Sequence, residues 1–145
     1  MKNLIAMPIR LFEGIPHSLH ALLGRVIIGL VFWNSGRTKV DGWNIFSVND
    51  KTLFLFQEEY KVPFVPSDLA ALLAQVSEHV FPILLFAGLA SRFAALALLG
   101  MTLVIEIFVY PEAYVTHGLW ATVLLLIIKY GPGSISLDHL IRQRS

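Results

Sequence analysis

The chain has 145 residues, room for a single domain (1–145), and only 14% of them are charged against about 25% in an average soluble domain. Hydrophobic residues make up 56%, and the mean hydropathy is +0.69. A formal net charge of +1 without a basic patch argues against a nucleic-acid footprint; the lack of cysteine excludes disulfides, thiol redox catalysis, cysteine-ligated iron–sulfur clusters and covalent c-type haem within the chain.

Residues 1–17 alternate apolar positions with Lys2 and Arg10. They are too interrupted for a span and lack a signal-peptide cleavage pattern, so an interfacial segment is expected, ended by Pro16. A first span follows over about 18–36, with Arg25 well inside it and Gly24, Gly29 and Gly36 allowing close helix approach. Arg25 either snorkels to the nearer interface or pairs with an acid on the next span.

Residues 36–67 form a long connection rich in aromatic and charged residues. Lys51 to Tyr60 reads as a short amphipathic helix, and a connection this long is expected to fold over the mouth of the bundle. It serves there as a structural cap or as a lid for a substrate or partner.

The second span, 68–90, organises the rest. Gln75, Glu78, His79 and Pro82 stand at i, i+3, i+4 and i+7, on one helical face. An ionisable group in hydrocarbon costs several kcal/mol by the lower estimates, so that face must look into protein or a wet cavity (about 3 kcal/mol per group). Ser91-Arg92 reads as a tight turn into the third span, 93–110, which carries Glu106. The fourth span, 114–130, begins near His117 and is short for a crossing. Residues 136–144 make a small amphipathic tail. The expected fold is therefore all-α: an integral membrane four-helix bundle with a long extracytoplasmic loop between its first two helices.

Outside the spans, Lys2, Arg10, Arg92, Lys129, Arg142 and Arg144 fall on one side, and Arg37, Lys39, Lys51 and Lys61 on the other. The first side, with both termini, reads as cytoplasmic. Helical rise puts Arg25 roughly 10 Å, Glu78 roughly 18 Å and Glu106 roughly 21 Å from the cytoplasmic ends of their helices. An Arg25–Glu78 pair is expected, within a polar column that runs on through His79 and Glu106 to His117.

Arg25, Gly29, Gly36 and Lys39 resemble the R-x3-G-x6-G-x2-K pattern of the DoxX family of small four-helix membrane proteins. Glu78 with Gly88-Leu89 and Arg92 resembles its second-helix signature, and Gly131-Pro132-Gly133 with Ser136-Leu137-Asp138 its C-terminal GPG-x-x-SLD hallmark. The fragments TKVDGW, EEYKVP, EHVFP and FVYPEAYVTHGLW are similar to one bacterial branch, whose members accompany cysteine-rich, modified metal-binding peptides. The resemblance implies a multi-pass protein of the bacterial inner membrane, linked by family name to thiosulfate:quinone oxidoreductase and terminal oxidase chemistry. The sequence departs from a haem-binding oxidase core: of five histidines only His79 is expected at mid-membrane depth.

Two functional classes follow. In the first, the chain is a quinone- or redox-linked membrane component, an oxidoreductase or a subunit of one. Glu78, His79 and Arg25 then act as the catalytic polar group, and Glu106, Gln75 and Phe81 help hold the quinone in an apolar slot. In the second, it is a non-enzymatic component that docks a membrane or soluble protein partner or handles a small ligand or metal ion in a peptide-maturation or metal-stress system. His79, Glu106 and His117 are then the metal ligands. The same residues are also consistent with a hydrogen-bond network that only sets helix register. Gly and Ala on several helix faces leave room for a homodimer.

Overall fold

The computed structural model describes residues 12–144, whose regular structure is helical apart from one isolated bridge between Val40 and Val48. The helices are α1 (His17–Arg37), α2 (Asp50–Glu58), α3 (Ser67–Ala87), α4 (Ser91–Phe108), α5 (Tyr114–Tyr130) and α6 (Leu137–Arg144). A 3-10 turn, Pro111–Ala113, leads into α5. Residues 1–11, which carry most of the expected interfacial segment, lie outside the described residues.

α1, α3, α4 and the run Pro111–Tyr130 are long and apolar enough to cross a bilayer. The 3-10 turn supplies the length that α5 alone lacks. The four spans form an antiparallel ring in which α1 packs on α3, α3 on α4, α4 on α5 and α5 back on α1. One end of the bundle, here the turn end, holds the α3–α4 connection; the other, the loop end, lies under α2.

The spans are inverted relative to a soluble bundle. Leu23 and Ile27 on α1, Val80 and Ile83 on α3, Leu103 and Ile107 on α4 and Leu119 on α5 are exposed, as lipid-facing side chains should be. Inside lie Ile28, Phe32, Leu85, Leu98 and Leu124, together with the polar Arg25, Gln75, Glu78, His79, Thr102 and His117. Lipid is as apolar as leucine, so close packing and internal polar bonds hold such helices together. Glycine makes this approach feasible at Gly36: a Cβ there would sit 2.9 Å from His79 Cε1 and 3.0 Å from Glu78 Cβ. One face of α1 thus lies against the α3 ridge that the sequence marks as intolerant of lipid.

α3 ends at Ala87 and α4 begins at Ser91, so the turn sits at Gly88–Ala90, earlier than the Ser91-Arg92 turn expected from sequence. Gly88 adopts φ 67°, the left-handed conformation that glycine accepts without steric cost and that commonly closes a helix. The start of α4 is then capped from far along the chain. Asp138 accepts from the Ala90 amide at 2.7 Å and the Ser91 amide at 2.9 Å, and its own amide donates to the Gly88 carbonyl at 2.9 Å. This accounts for the aspartate of the C-terminal motif, because a carboxylate at a helix N-terminus meets both unpaired amides and the positive end of the helix dipole.

The long connection does fold over the mouth. Asn49 accepts from the Thr52 amide at 2.9 Å and starts α2, and Phe56 packs against Ala70 and Ala71 of α3. Asp138→Ala should leave the Ala90 and Ser91 amides unpaired and cost about 1–3 kcal/mol. Thermal unfolding of the detergent-solubilised protein should show a lowered midpoint, with a smaller loss for Asp138→Asn, which keeps one acceptor.

Candidate functional site

A cavity of about 660 Å³ lies toward the loop end, between the spans and beneath α2. α1 contributes Val31, Phe32, Ser35 and Lys39, and α3 contributes Leu73, Ser77 and Glu78. Met101 and Ile105 of α4, His117 and Trp120 of α5, and Leu55 and Phe56 of α2 complete most of the wall. Its surface is mainly apolar; Lys51 and Thr52 of α2 also line it, and polar side chains pair with one another in three places.

The first is on α1 and α3. Glu78, nearly fully buried, has Oε2 2.7 Å from Lys39 Nζ, and Oε1 accepts from Ser35 Oγ at 3.2 Å. Lys39 also donates to Ser35 Oγ at 3.0 Å and to the Ser35 carbonyl at 3.3 Å, which closes the group into a triangle. Pro82 stands four residues after Glu78 in α3 and has no amide hydrogen, so the Glu78 carbonyl lacks its usual helical donor. The second is on α5 and α4, where His117 Nδ1 lies 2.5 Å from Glu106 Oε2 and the imidazole ring is 5.0 Å from Trp120. α3 and α5 are diagonal in the ring, so Glu78 and His117 look into the cavity from opposite sides. The third closes the mouth: the hydroxyls of Tyr60 and Tyr110 are hydrogen-bonded, with ring centroids 5.5 Å apart. Burial, then the bond to Tyr110 and the nearby Glu59, push the Tyr60 phenol up to about 12.

The expected Arg25–Glu78 pair does not form. Arg25 is fully buried, but its guanidinium donates to the Leu85 carbonyl at 2.8 Å and the Ile135 carbonyl at 2.5 Å. The reason is register. Gly29 lies against Phe86 and Gly36 against Glu78 and His79, so Arg25 comes level with the end of α3, beside Gly88. Ten residues separate Glu78 from Gly88, about 15 Å of helix. The depth estimate assumed that the helices end level; instead α1 runs on beyond α3, and residues 131–137 fill the space, with the Ser134 amide donating to Ser18 Oγ at 3.1 Å.

Other candidates are also redistributed. His79 points at α1 rather than into the cavity: Nδ1 donates to the Gln75 carbonyl at 2.8 Å, and its ring meets the Trp33 ring edge-on at 5.1 Å. Gln75 ties the long connection down, with Nε2 donating to the Ile45 carbonyl at 2.7 Å. Phe81 packs on the apolar core and against Phe93, at 5.9 Å between ring centroids. The polar column is therefore broken. His79 does not join Glu106 and His117, and the described residues contain no cluster of three His, Cys, Asp or Glu side chains able to hold a metal ion. Of the six residues suggested for catalysis or quinone binding, Glu78 alone lines the cavity, while Glu106 bears on it through His117.

The partner that sequence reasoning missed is Lys39. The signal was present in the Gly36-x2-Lys39 spacing, which puts the ammonium one turn above the glycine that touches Glu78. Tyr60 and Tyr110 carried no such signal, because they are 50 residues apart and only the folded connection brings them together.

Fold and site together define a multi-pass helical membrane protein with a largely apolar cavity between its spans, the Lys39–Glu78 ion pair on one wall and the His117–Glu106 contact on the other. A family model described as DoxX matches residues 20–111, and the chain belongs to the DoxX family. An uncharacterised protein of Haemophilus influenzae is 30% identical over 90% of this chain and 89% of its own length. No solved structure matches the chain.

Lys39→Met should leave the Glu78 carboxylate buried without its countercharge and destabilise the fold by about 3–5 kcal/mol. Adding Glu78→Leu should restore most of that loss in thermal unfolding; a double variant as unstable as the single one would contradict the pairing. Tyr60 should ionise only as pH rises through about 12. Because its folded value is raised, the stability this contributes is complete below the free phenol value of about 10 and fades as pH climbs through the folded value. Near-ultraviolet absorbance titration against Tyr60→Phe would isolate the late-titrating phenol.

Proposed function

We propose that the protein is a quinone-binding component of a bacterial inner-membrane redox system, with both termini cytoplasmic and the α2 cover on the outer face. The observation that carries this reading is a mainly apolar cavity among membrane spans with a polar side-chain pair on each of two opposite walls, Lys39–Glu78 and His117–Glu106. A quinone ring needs a flat apolar slot and a polar partner at each of two opposed carbonyl oxygens, and cavities of this kind between helices are common ligand sites. In the proposed complex, Lys39 with Glu78 serves one oxygen and His117 with Glu106 the other. Phe32 and Trp120 line the slot between them.

Reduction of a bound quinone to quinol takes two electrons and two protons. The electrons come from a redox partner in the membrane or at its surface. The protons pass to the two quinone oxygens from the Lys39–Glu78 and His117–Glu106 pairs, since groups within hydrogen-bond reach of the reacting atom are those that can transfer a proton. Arg25, His79, Gln75 and Phe81 have supporting roles: they hold register, the cover and the core around the site. The orientation rests on the excess of Lys and Arg at the turn end and in the terminal segments.

Protein purified in mild detergent should retain quinone on solvent extraction, and added quinone analogues should raise its melting temperature. Glu78→Gln keeps the shape but removes the charge that holds the Lys39 ammonium, and should weaken quinone binding about tenfold or more. If no quinone is extracted and analogues leave the melting temperature unchanged, the reading fails.

A further inference from the structure

A second concavity, of about 580 Å³, lies at the turn end of the bundle, away from the Glu78 cavity. It sits where α1 begins, where α3 turns into α4, and where residues 131–134 pass toward α6. Arg92, from the first turn of α4, and Arg142, from α6, line it together with the imidazoles of His17 and His139. The carboxylate in the same wall, Asp138, already has one oxygen on the Ala90 amide and the other on the Ser91 amide. Arg92 is anchored by Nε, which donates to the Ile128 carbonyl at 3.0 Å, and its two terminal nitrogens make no other hydrogen bond among the described residues. Lys129 adds positive charge nearby, its ammonium 4.9 Å from the centre of the Tyr130 ring.

The rim is apolar and faces outward. Phe93, Tyr130 and Ile141 line the same concavity and are exposed. Phe93 stands near the start of one span and Tyr130 at the end of another, so the concavity lies at the depth where the chain leaves the hydrocarbon for the headgroup layer. Cationic nitrogens on one wall and exposed apolar side chains on the other match an amphiphile with an anionic head.

We propose that this concavity binds the phosphate of an anionic phospholipid. Arg92 and Arg142 grip the phosphate oxygens, for which a planar guanidinium is well shaped, and the acyl chains lie along Phe93 and Ile141. Free phosphate would satisfy the same cations but leave the apolar rim unused. The lipid wedges between α6 and the start of α4 and ties the C-terminal helix to the bundle at the level of the Asp138 cap.

The full-length protein, purified in neutral detergent, is titrated with phosphatidylglycerol, phosphatidylcholine and inorganic phosphate while bound lipid is counted by native mass spectrometry and thermal unfolding is followed. Phosphatidylglycerol should bind and raise the unfolding midpoint, whereas phosphatidylcholine and inorganic phosphate should do neither. Arg92→Gln and Arg142→Gln should each weaken binding about fivefold, the loss expected for one cation at a lipid headgroup. Arg144→Gln, on the same helix but outside the concavity, should bind as the unaltered protein does. If Arg92→Gln does not elute as folded protein, Arg142→Gln decides alone. The proposal is overturned if phosphatidylcholine binds equally well, if inorganic phosphate stabilises as much as phosphatidylglycerol, or if Arg142→Gln binds no more weakly than Arg144→Gln.

Discussion

The close seam between α1 and α3 determines where the other parts of this molecule lie. Phe86 lies over Gly29, and His79 and Glu78 lie against Gly36, so small residues on α1 meet large ones on α3 in this axial register. In lipid no hydrophobic force between helices corrects a poor fit, and the steric match of small residues to large ones sets the contact. From that register follow the height of Arg25 beside the end of α3, the height of Lys39 beside Glu78, and the gap that residues 131–137 fill.

Charge inside the bundle is met in three ways. Glu78 is neutralised by a lysine from just beyond the neighbouring span and held by a serine one turn below that lysine. Arg25 binds carbonyl oxygens, one from the last turn of α3 and one from the strap after α5. Helix ends leave carbonyls without intrahelical donors, so an arginine at that level is a cap as well as a charge. His117 and Glu106 face each other across the α4–α5 seam. Each arrangement keeps an ionisable group away from acyl chains, yet only the first and third border the cavity. A buried charge in this bundle therefore does not by itself mark the cavity wall.

The two ends of the bundle are closed in different ways. At the turn end the chain is densely cross-tied: Asp138 caps α4, Arg25 joins α3 to the strap, and Ser134 bonds to Ser18. At the loop end the spans part around the cavity, and closure falls to α2, held by Phe56 on Ala70 and Ala71 and by the Tyr60–Tyr110 contact. The cover is tied to the spans by side chains along its length: Gln75 bonds to the Ile45 carbonyl and Gln57 to Asp68 at 3.0 Å.

The sequence by itself determined the membrane setting, the four spans, the cover helix and the inward turn of the α3 ridge. Those depend on local composition and on helical periodicity, which act along one element and can be read from it. The pairing of charges was decided only by tertiary structure. Arg25 and Glu78 matched in sign and nearly in estimated depth, but the axial offset of α1 against α3 comes from glycine and aromatic contacts between helices, and no spacing within either helix records it. The cap of α4 by Asp138, 47 residues beyond Ser91, and the meeting of Tyr60 with Tyr110 were hidden for the same reason. Residues distant in the chain become partners only once the helices have chosen how far to slide along one another.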